Sequence, residues 1–278
     1  EGYNKTANYK YTIEAIVTDI TGETHSEETT VTIGKSTVYA KINMEDEVFA
    51  SPKTEINITA KNLNNQPIPL KGKLKIQTVN VPEKIYSRQF WDEPLTPIID
   101  AETHKKLFPY FALNGENERK NFPVGKTVYS QTINDSTGNT NAIWNTSTTP
   151  SGLYLFTFTY LDNLGDTQAT TEYVALLNPK NKKAFPHQYF SLNAQQKSYQ
   201  PNQVAEVILS SRFPKTRVIY FIDKQGEAGK MQQITLKNAV HKIKIPVTDA
   251  DRGGIHITAF SIYNNRFYKE TVEIAVPY

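Results

Sequence analysis

Tyr11-Thr12-Ile13-Glu14-Ala15-Ile16-Val17-Thr18-Asp19-Ile20-Thr21-Gly22-Glu23-Thr24 decides the fold. Tyr9, Tyr11, Ile13, Ala15 and Val17 take every second position, the period of a half-buried strand. Asp19 to Gly22 reads as a turn. Thr29-Thr30-Val31-Thr32-Ile33 returns as a β-branched strand, and Gly34 ends it. A lone hairpin is marginal in water, so this one is expected to close a larger sheet.

The same pattern recurs far downstream. Asp162-Asn163-Leu164-Gly165-Asp166-Thr167 and Asp19-Ile20-Thr21-Gly22-Glu23-Thr24 both fit D-x-x-G-(D/E)-T. The strand before the second copy puts Leu153, Leu155, Thr157 and Thr159 on one face and Tyr154, Phe156, Phe158 and Tyr160 on the other. The return strand, Thr170 to Leu177, is apolar on both faces. Part of this pair is therefore expected to be covered on both sides. A third hairpin runs from Ile255 through Tyr263-Asn264-Asn265-Arg266 to Val276, matching in shape and not in letters.

Three terminal hairpins imply a tandem array of β-domains. The expected units are residues 1–34 (the closing hairpin of a unit whose front is missing), 35–178 and 184–278. Asn178-Pro179-Lys180-Asn181-Lys182-Lys183 reads as a solvated connector. The fold expected is all-β: tandem seven-stranded antiparallel β-sandwiches of fibronectin III or immunoglobulin-like architecture. Within the middle unit, strands are predicted at Val38 to Met44, Glu55 to Ala60 and Leu70 to Val79. Trp144 is predicted to be buried.

Between about residues 81 and 126 the alternation stops. One helical turn is predicted at Asp100 to Phe108, with Asp100 as its cap. A long irregular stretch in a compact domain is often functional. The plainer expectation is a crossover packing Trp91, Phe108, Tyr110 and Phe111 on the sandwich edge.

Composition removes whole classes of chemistry. The 278 residues carry 31 Lys+Arg against 28 Asp+Glu, a net charge of +3. That is too little basic excess to argue for nucleic acid. Zero cysteine excludes disulfides, iron–sulfur clusters, thiolate zinc and a cysteine nucleophile. No apolar run approaches the ~18 residues that would cross a bilayer. The opening Glu1-Gly2-Tyr3-Asn4 suggests an internal piece of a longer protein, with any leader or lipid anchor outside it.

His25, His104, His187, His241 and His256 show no metal spacing, so no metal or cofactor is expected. Asp100, Glu102 and His104 read as a capping or solvated cluster. Ser210, Ser211 and Ser261 have no local base, and Asp249-Ala250-Asp251 reads as a turn and not a calcium loop. Asp249/Asp251 and Glu27/Glu28 are carboxylate pairs expected on exposed faces. Asn4, Asn57, Asn134 and Asn145 lie in N-x-S/T sequons at near-chance frequency.

A family comes into view in the last unit. Lys197-Ser198-Tyr199-Gln200-Pro201-Asn202-Gln203-Val204-Ala205 resembles the "xSYKPGDTA" opening of a macroglobulin domain in bacterial α2-macroglobulin-like proteins. Val207 to Pro214 is similar to that family's "VLVxSPFP", Val218 to Glu227 to its "ALVTVERDG", and Lys244-Ile245-Pro246-Val247-Thr248 to its "EIPVT". Tyr11 to Thr24, and its repeat ending at Thr167, resemble the "YTVTATVTDxxGxT" hairpin that ends such domains. The sequence departs at Asn202, where glycine is usual; asparagine still tolerates positive φ.

The resemblance implies consecutive macroglobulin domains from the N-terminal half of a protease-trapping protein of the cell envelope, periplasmic or outer-membrane anchored, or secreted. Its partners would be proteases and neighbouring macroglobulin domains, with a membrane reached only through an anchor elsewhere. The thioester domain of that family needs a cysteine, which this chain lacks. The expected role is scaffold without catalysis. An exposed, protease-sensitive segment is placed at residues 83–122, with Lys84, Arg88, Lys105, Lys106, Arg119 and Lys120 as cleavable positions. The alternative is the β-sandwich array of an adhesin or carbohydrate-binding surface protein, with Trp91 and Trp144 stacking on sugars.

Overall fold

The computed structural model describes residues 9–34, 38–84, 86, 98–113, 115–162, 164–224, 229 and 231–278. The strands, in chain order, are β1 (Tyr9–Thr18), β2 (Thr24–Ile33), β3 (Val38–Asn43), β4 (Glu47–Phe49), β5 (Thr54–Asn62) and β6 (Leu70–Val79). After helix α1 (Ala101–Leu107) come β7 (Val124–Asp135), β8 (Asn139–Trp144), β9 (Gly152–Leu161) and β10 (Thr167–Leu177). The last group is β11 (Phe190–Ala194), β12 (Val204–Ser211), β13 (Thr216–Lys224), β14 (Gln232–Leu236), β15 (Ala239–Pro246), β16 (Ile255–Tyr263) and β17 (Arg266–Ile274). The chain is all-β, as its period-2 patterning predicts.

Two sandwiches account for all but the first hairpin. In one, the sheet β3-β5-β8 faces the sheet β4-β10-β9-β6-β7; in the other, β11-β12-β15 faces β14-β13-β16-β17. The first core is built from Ile42, Ile56, Ile58, Leu74, Ile76, Trp144 and the β9 face of Tyr154, Phe156, Phe158 and Tyr160. The second is built from Leu192, Val207, Leu209, Phe213, Val218, Ile243, Ile255 and Ile257. Among the described residues the second sandwich has the seven strands expected. The first has eight, and it breaks the antiparallel expectation because β4 runs parallel to β10. Only three residues long, β4 has no room for alternation to announce it.

The hairpin β1–β2 pairs from Tyr9↔Ile33 to Thr18↔Thr24 and forms a sheet of its own. Its alternating face is solvated: Tyr11, Ile13 and Val17 are each more than half exposed. Aligning Asp19 with Asp162 places Tyr11, Ile13, Ala15 and Val17 where β9 carries the buried Tyr154, Phe156, Phe158 and Tyr160.

The two letter-matched turns are the same loop. Asp19 Oδ1 accepts from the N–H groups of Thr21 (2.8 Å) and Glu23 (3.0 Å), and Gly22 N–H donates to Asp19 O at 3.1 Å, with φ +87° at Gly22. Asp162 Oδ1 accepts from Leu164 and Asp166 at 2.9 Å each, and Gly165 (φ +83°) donates to Asp162 O at 3.1 Å. A carboxylate that takes two backbone donors replaces a turn's missing partners, and only glycine or asparagine accepts the left-handed corner readily.

The loop recurs where the letters change. Asn62 Oδ1 accepts from Asn64 (2.9 Å) and Gln66 (3.0 Å), with Asn65 at φ +63°. Asp135 Oδ2 accepts from Thr137 (3.0 Å) and Asn139 (3.1 Å), with Gly138 at φ +76°. The third hairpin instead turns through Asn264 and Asn265, both at positive φ, the two-residue turn that suits strand twist.

Other expectations resolve locally. Asp100 caps α1 by accepting from Thr103 N–H at 2.9 Å, and this bond holds its carboxyl below the usual range. Phe108 and Tyr110 are corrected: they are 42% and 51% exposed and do not pack under the edge. Phe111 is half-buried with its ring 6.3 Å from that of Phe108. Trp91 lies outside the described residues. Asp249-Ala250-Asp251 is a turn, but Asp251 is buried, contrary to expectation, because it accepts from Thr248 N–H (2.7 Å) and Lys224 Nζ (2.9 Å). Those bonds hold its carboxyl low despite burial.

Candidate functional site

The groups drawn together over the longest sequence distances lie where the sandwiches meet. The outer face of the five-stranded sheet offers Val79, Leu153, Ala175 and Leu177. Against it the second sandwich places Phe185 and Ile208, and all six are buried. β10 thus serves two cores: Val174 and Leu176 face inward to the first, Ala175 and Leu177 outward to the joint. This is the two-sided burial that the apolar run to Leu177 predicts.

A polar clamp sits beside this layer. Glu47, on β4, accepts from Gln188 Nε2 at 2.6 Å and Asn193 Nδ2 at 2.5 Å, and its Oε1 lies 3.0 Å from His187 Nε2. The His187 hydrogen bond is the chief reason that the Glu47 carboxyl titrates below its usual value; the Asn193 bond and the charge of Arg119 add to it, and burial opposes it. Arg212 donates to Pro82 O at 2.8 Å and to Pro186 O at 2.9 Å, so one guanidinium ties the crossover to the second sandwich. Tyr86 N–H donates to Tyr189 Oη at 2.7 Å.

The connector at 178–183 is solvated at Lys180, Lys182 and Lys183, as expected, but its first residue is not. Asn178 is buried. Its amide donates to Thr149 O at 2.8 Å and its N–H to Ser151 Oγ at 2.8 Å. Further on, Val240 N–H donates to Lys182 O at 3.1 Å, and Lys183 pairs with Ala239. Asparagine can satisfy loop carbonyls and backbone donors at once, which a reading of polarity alone misses.

Glu47 makes the joint pH-dependent. Its native pKa is depressed, so its contribution is present above the ordinary glutamate value of 4.5 and lost as pH falls through the lowered native value. Glu270 runs the other way: burial first, and the charge of Glu47 second, raise its pKa, so acidification relieves a native-state cost. Thermal midpoints of the wild type should therefore fall on acidification below about 4.5. Glu47→Gln should flatten that fall, and an unchanged profile would mean that Glu47 does not hold the joint.

Next to the clamp lies a cleft of about 1130 Å³. Its walls come from Val81, Pro82, Lys84 and Tyr86, from Asn117, Arg119 and Phe122, from 187–190, from Arg212, and from residues 265–270 of the last hairpin. Of the proposed cleavable positions, Lys84 and Arg119 share this cleft. Lys84 Nζ stands 4.9 Å over the Tyr86 ring. Lys105 and Lys106 are exposed on α1, and Lys120 is exposed and paired with Glu118 at 2.7 Å. Arg88 lies outside the described residues. The histidines do not converge: among the described residues no group of three His, Cys, Asp or Glu comes within metal-holding reach. Trp144 is 6% exposed, with its ring in edge contact with those of Tyr154 and Phe156, and is no platform for a sugar.

No known family model matches the chain, and no curated protein matches it. Among solved structures, trypsin-activated alpha-2-macroglobulin from Escherichia coli aligns with 98% of this chain and 21% of its own, at 10% identity and a TM-score of 0.35. Salmonella alpha-2-macroglobulin reacted with methylamine aligns with 97% of this chain and 26% of its own, at 9% identity and a TM-score of 0.29. A tetra-tandem repeat from the extending region of a large adhesion protein aligns with 97% of this chain and 57% of its own, at 9% identity and a TM-score of 0.28. The chain spans about a quarter or less of either macroglobulin. Likeness of this degree carries no argument about function.

Proposed function

We propose that this chain is scaffold from an α2-macroglobulin-like protease inhibitor of the cell envelope or a secreted counterpart. In this reading residues 35–178 and 184–278 are two macroglobulin-like units, and 1–34 closes a third. The proteases are partners of the whole protein, and no catalysis is assigned to this piece.

The observation that carries the reading is the meeting of two separated motifs. Lys197 to Ala205 and Lys244 to Thr248, each similar to a macroglobulin run, pair as one hydrogen-bonded unit. Val204 pairs with Pro246 and Ala205 with Ile245. Asn202 N–H donates to Val247 O at 2.8 Å, and Val247 N–H to Gln203 O at 2.9 Å. Asn202 has φ +70°, the conformation that the family's usual glycine would supply. The solvated core-type face of β1 fits a hairpin that closes a further unit.

The test uses the longest natural polypeptide that contains this sequence, mixed with several endopeptidases. Retention of a protease still active on small substrates but not on proteins is the expected result; free, fully active protease would end the proposal. On residues 1–278, limited trypsin digestion should cut first within 83–122. It should spare Lys182 and Lys183, whose backbones are hydrogen-bonded or paired. First cuts in the connector would remove the protease-sensitive assignment.

A further inference from the structure

We propose that β1 binds an antiparallel strand along its outer edge, one that alternates apolar with polar residues and sets a lysine opposite Glu14. The inference rests on the reading that residues 1–34 close a further unit. It names the neighbour of that hairpin: the strand of the same unit that stands to β1 as β6 stands to β9. Beyond Tyr9 every residue of β1 is exposed, and β2 is its only strand partner among the described residues. Asp19 N–H donates to Glu23 O at 2.9 Å, so the pair next to the turn is hydrogen-bonded. The ladder alternates from there. Tyr11, Ile13, Ala15 and Val17 bond to β2, while Lys10, Thr12, Glu14 and Ile16 turn their N–H and C=O groups away from it. None of these four has a further backbone bond among the described residues. An open ladder is a template for another strand.

The internal copy supplies the register, and charge supports it. Aligning Asp19 with Asp162 puts Ile13, Glu14 and Ala15 at Phe156, Thr157 and Phe158, which pair with Ile76, Lys75 and Leu74 of β6. Glu14 lies directly opposite Glu28 on β2, and like charges in that position repel. The second copy holds Thr157 and Thr171 at these two places. Neither glutamate is in an ion pair among the described residues. A lysine at the Lys75 position of a third strand stands beside Glu14 and offsets the repulsion. Size sets the other requirement. A Cβ at Gly72 would meet the Phe158 ring, but the hairpin has Ala15 there, so its partner strand needs no glycine at that place.

The probe is a labelled peptide of residues 70–79 carrying Gly72→Val, titrated by fluorescence anisotropy against the 278-residue chain. Saturable binding is expected. Glu14→Lys, with melting curves to show that the chain folds, should weaken binding at least about tenfold, although it removes the repulsion from Glu28. Lys75→Glu in the peptide should weaken binding to the wild-type chain by a similar factor and restore binding to Glu14→Lys. N-methyl groups on the peptide amides of 73, 75 and 77, which would face β1, should also weaken it about tenfold or more. The same groups on 72, 74 and 76 should not. Absence of binding would overturn the proposal. So would equal binding by the two N-methylated peptides, or a loss in Glu14→Lys that Lys75→Glu fails to restore. Protease retention by the longer polypeptide reads the inhibitor assignment alone, so either idea can fail without the other.

Discussion

Replacing Phe185 by alanine should uncouple the two sandwiches. Phe185 is 0% exposed and packs with Val79, Leu153, Ala175, Leu177 and Ile208. Removing its ring leaves a cavity in a layer that joins two bodies, each with its own core. A buried Phe→Ala change costs about 3–5 kcal/mol. The loss should fall on the coupling and leave the inner cores intact. Chemical denaturation followed by tryptophan fluorescence and by far-ultraviolet dichroism should separate into two transitions, and scattering should report a wider range of shapes. Coincident transitions at wild-type denaturant would show that the polar clamp alone holds the joint. Glu47→Gln in the same background then tests the clamp.

The second large effect is internal to one body. Trp144→Ala should destabilise the first sandwich by about 3–5 kcal/mol. Its indole sits 5.5 Å from the Tyr154 ring, 6.0 Å from Tyr129 and 6.1 Å from Phe156, where edge-to-face contacts add to burial. The second sandwich should unfold as before, which makes the remaining transition an internal control. A change below about 1 kcal/mol would mean that the site collapses around the missing ring.

Local chemistry made most of the fold legible. β6 occupies Leu70–Val79 as alternation predicts, and the first hairpin turns where Asp19 and Gly22 place it. Asp100 caps α1 because a carboxylate three residues from its N–H donor is a short-range matter. Matching by letters missed two copies of the Asp-type loop: Asn62 and Asn65 do the work of aspartate and glycine in one, and Asn139 stands in place of the second acid in the other. The joint was beyond reach for another reason. Glu47 and its partner His187 are 140 positions apart, and β4 is too short to show a period. One signal did survive in sequence: the unbroken Val174-Ala175-Leu176-Leu177 run, which says that both faces are dry without saying what covers each. Gly72 gave no signal at all, although a Cβ there would stand 2.4 Å from the Phe158 ring and from Thr159 O.

The two-faced end of β10 makes neighbouring residues into separate reporters. Leu176 and Leu177 share a peptide bond, yet one belongs to the inner core and the other to the joint. Methyl labels on this single pair would form a two-channel gauge. Motion between the bodies would register at Leu177 while Leu176 stays silent, and breathing within the first body would do the reverse. One dipeptide can thus tell whether a rearrangement bends the array or loosens its parts.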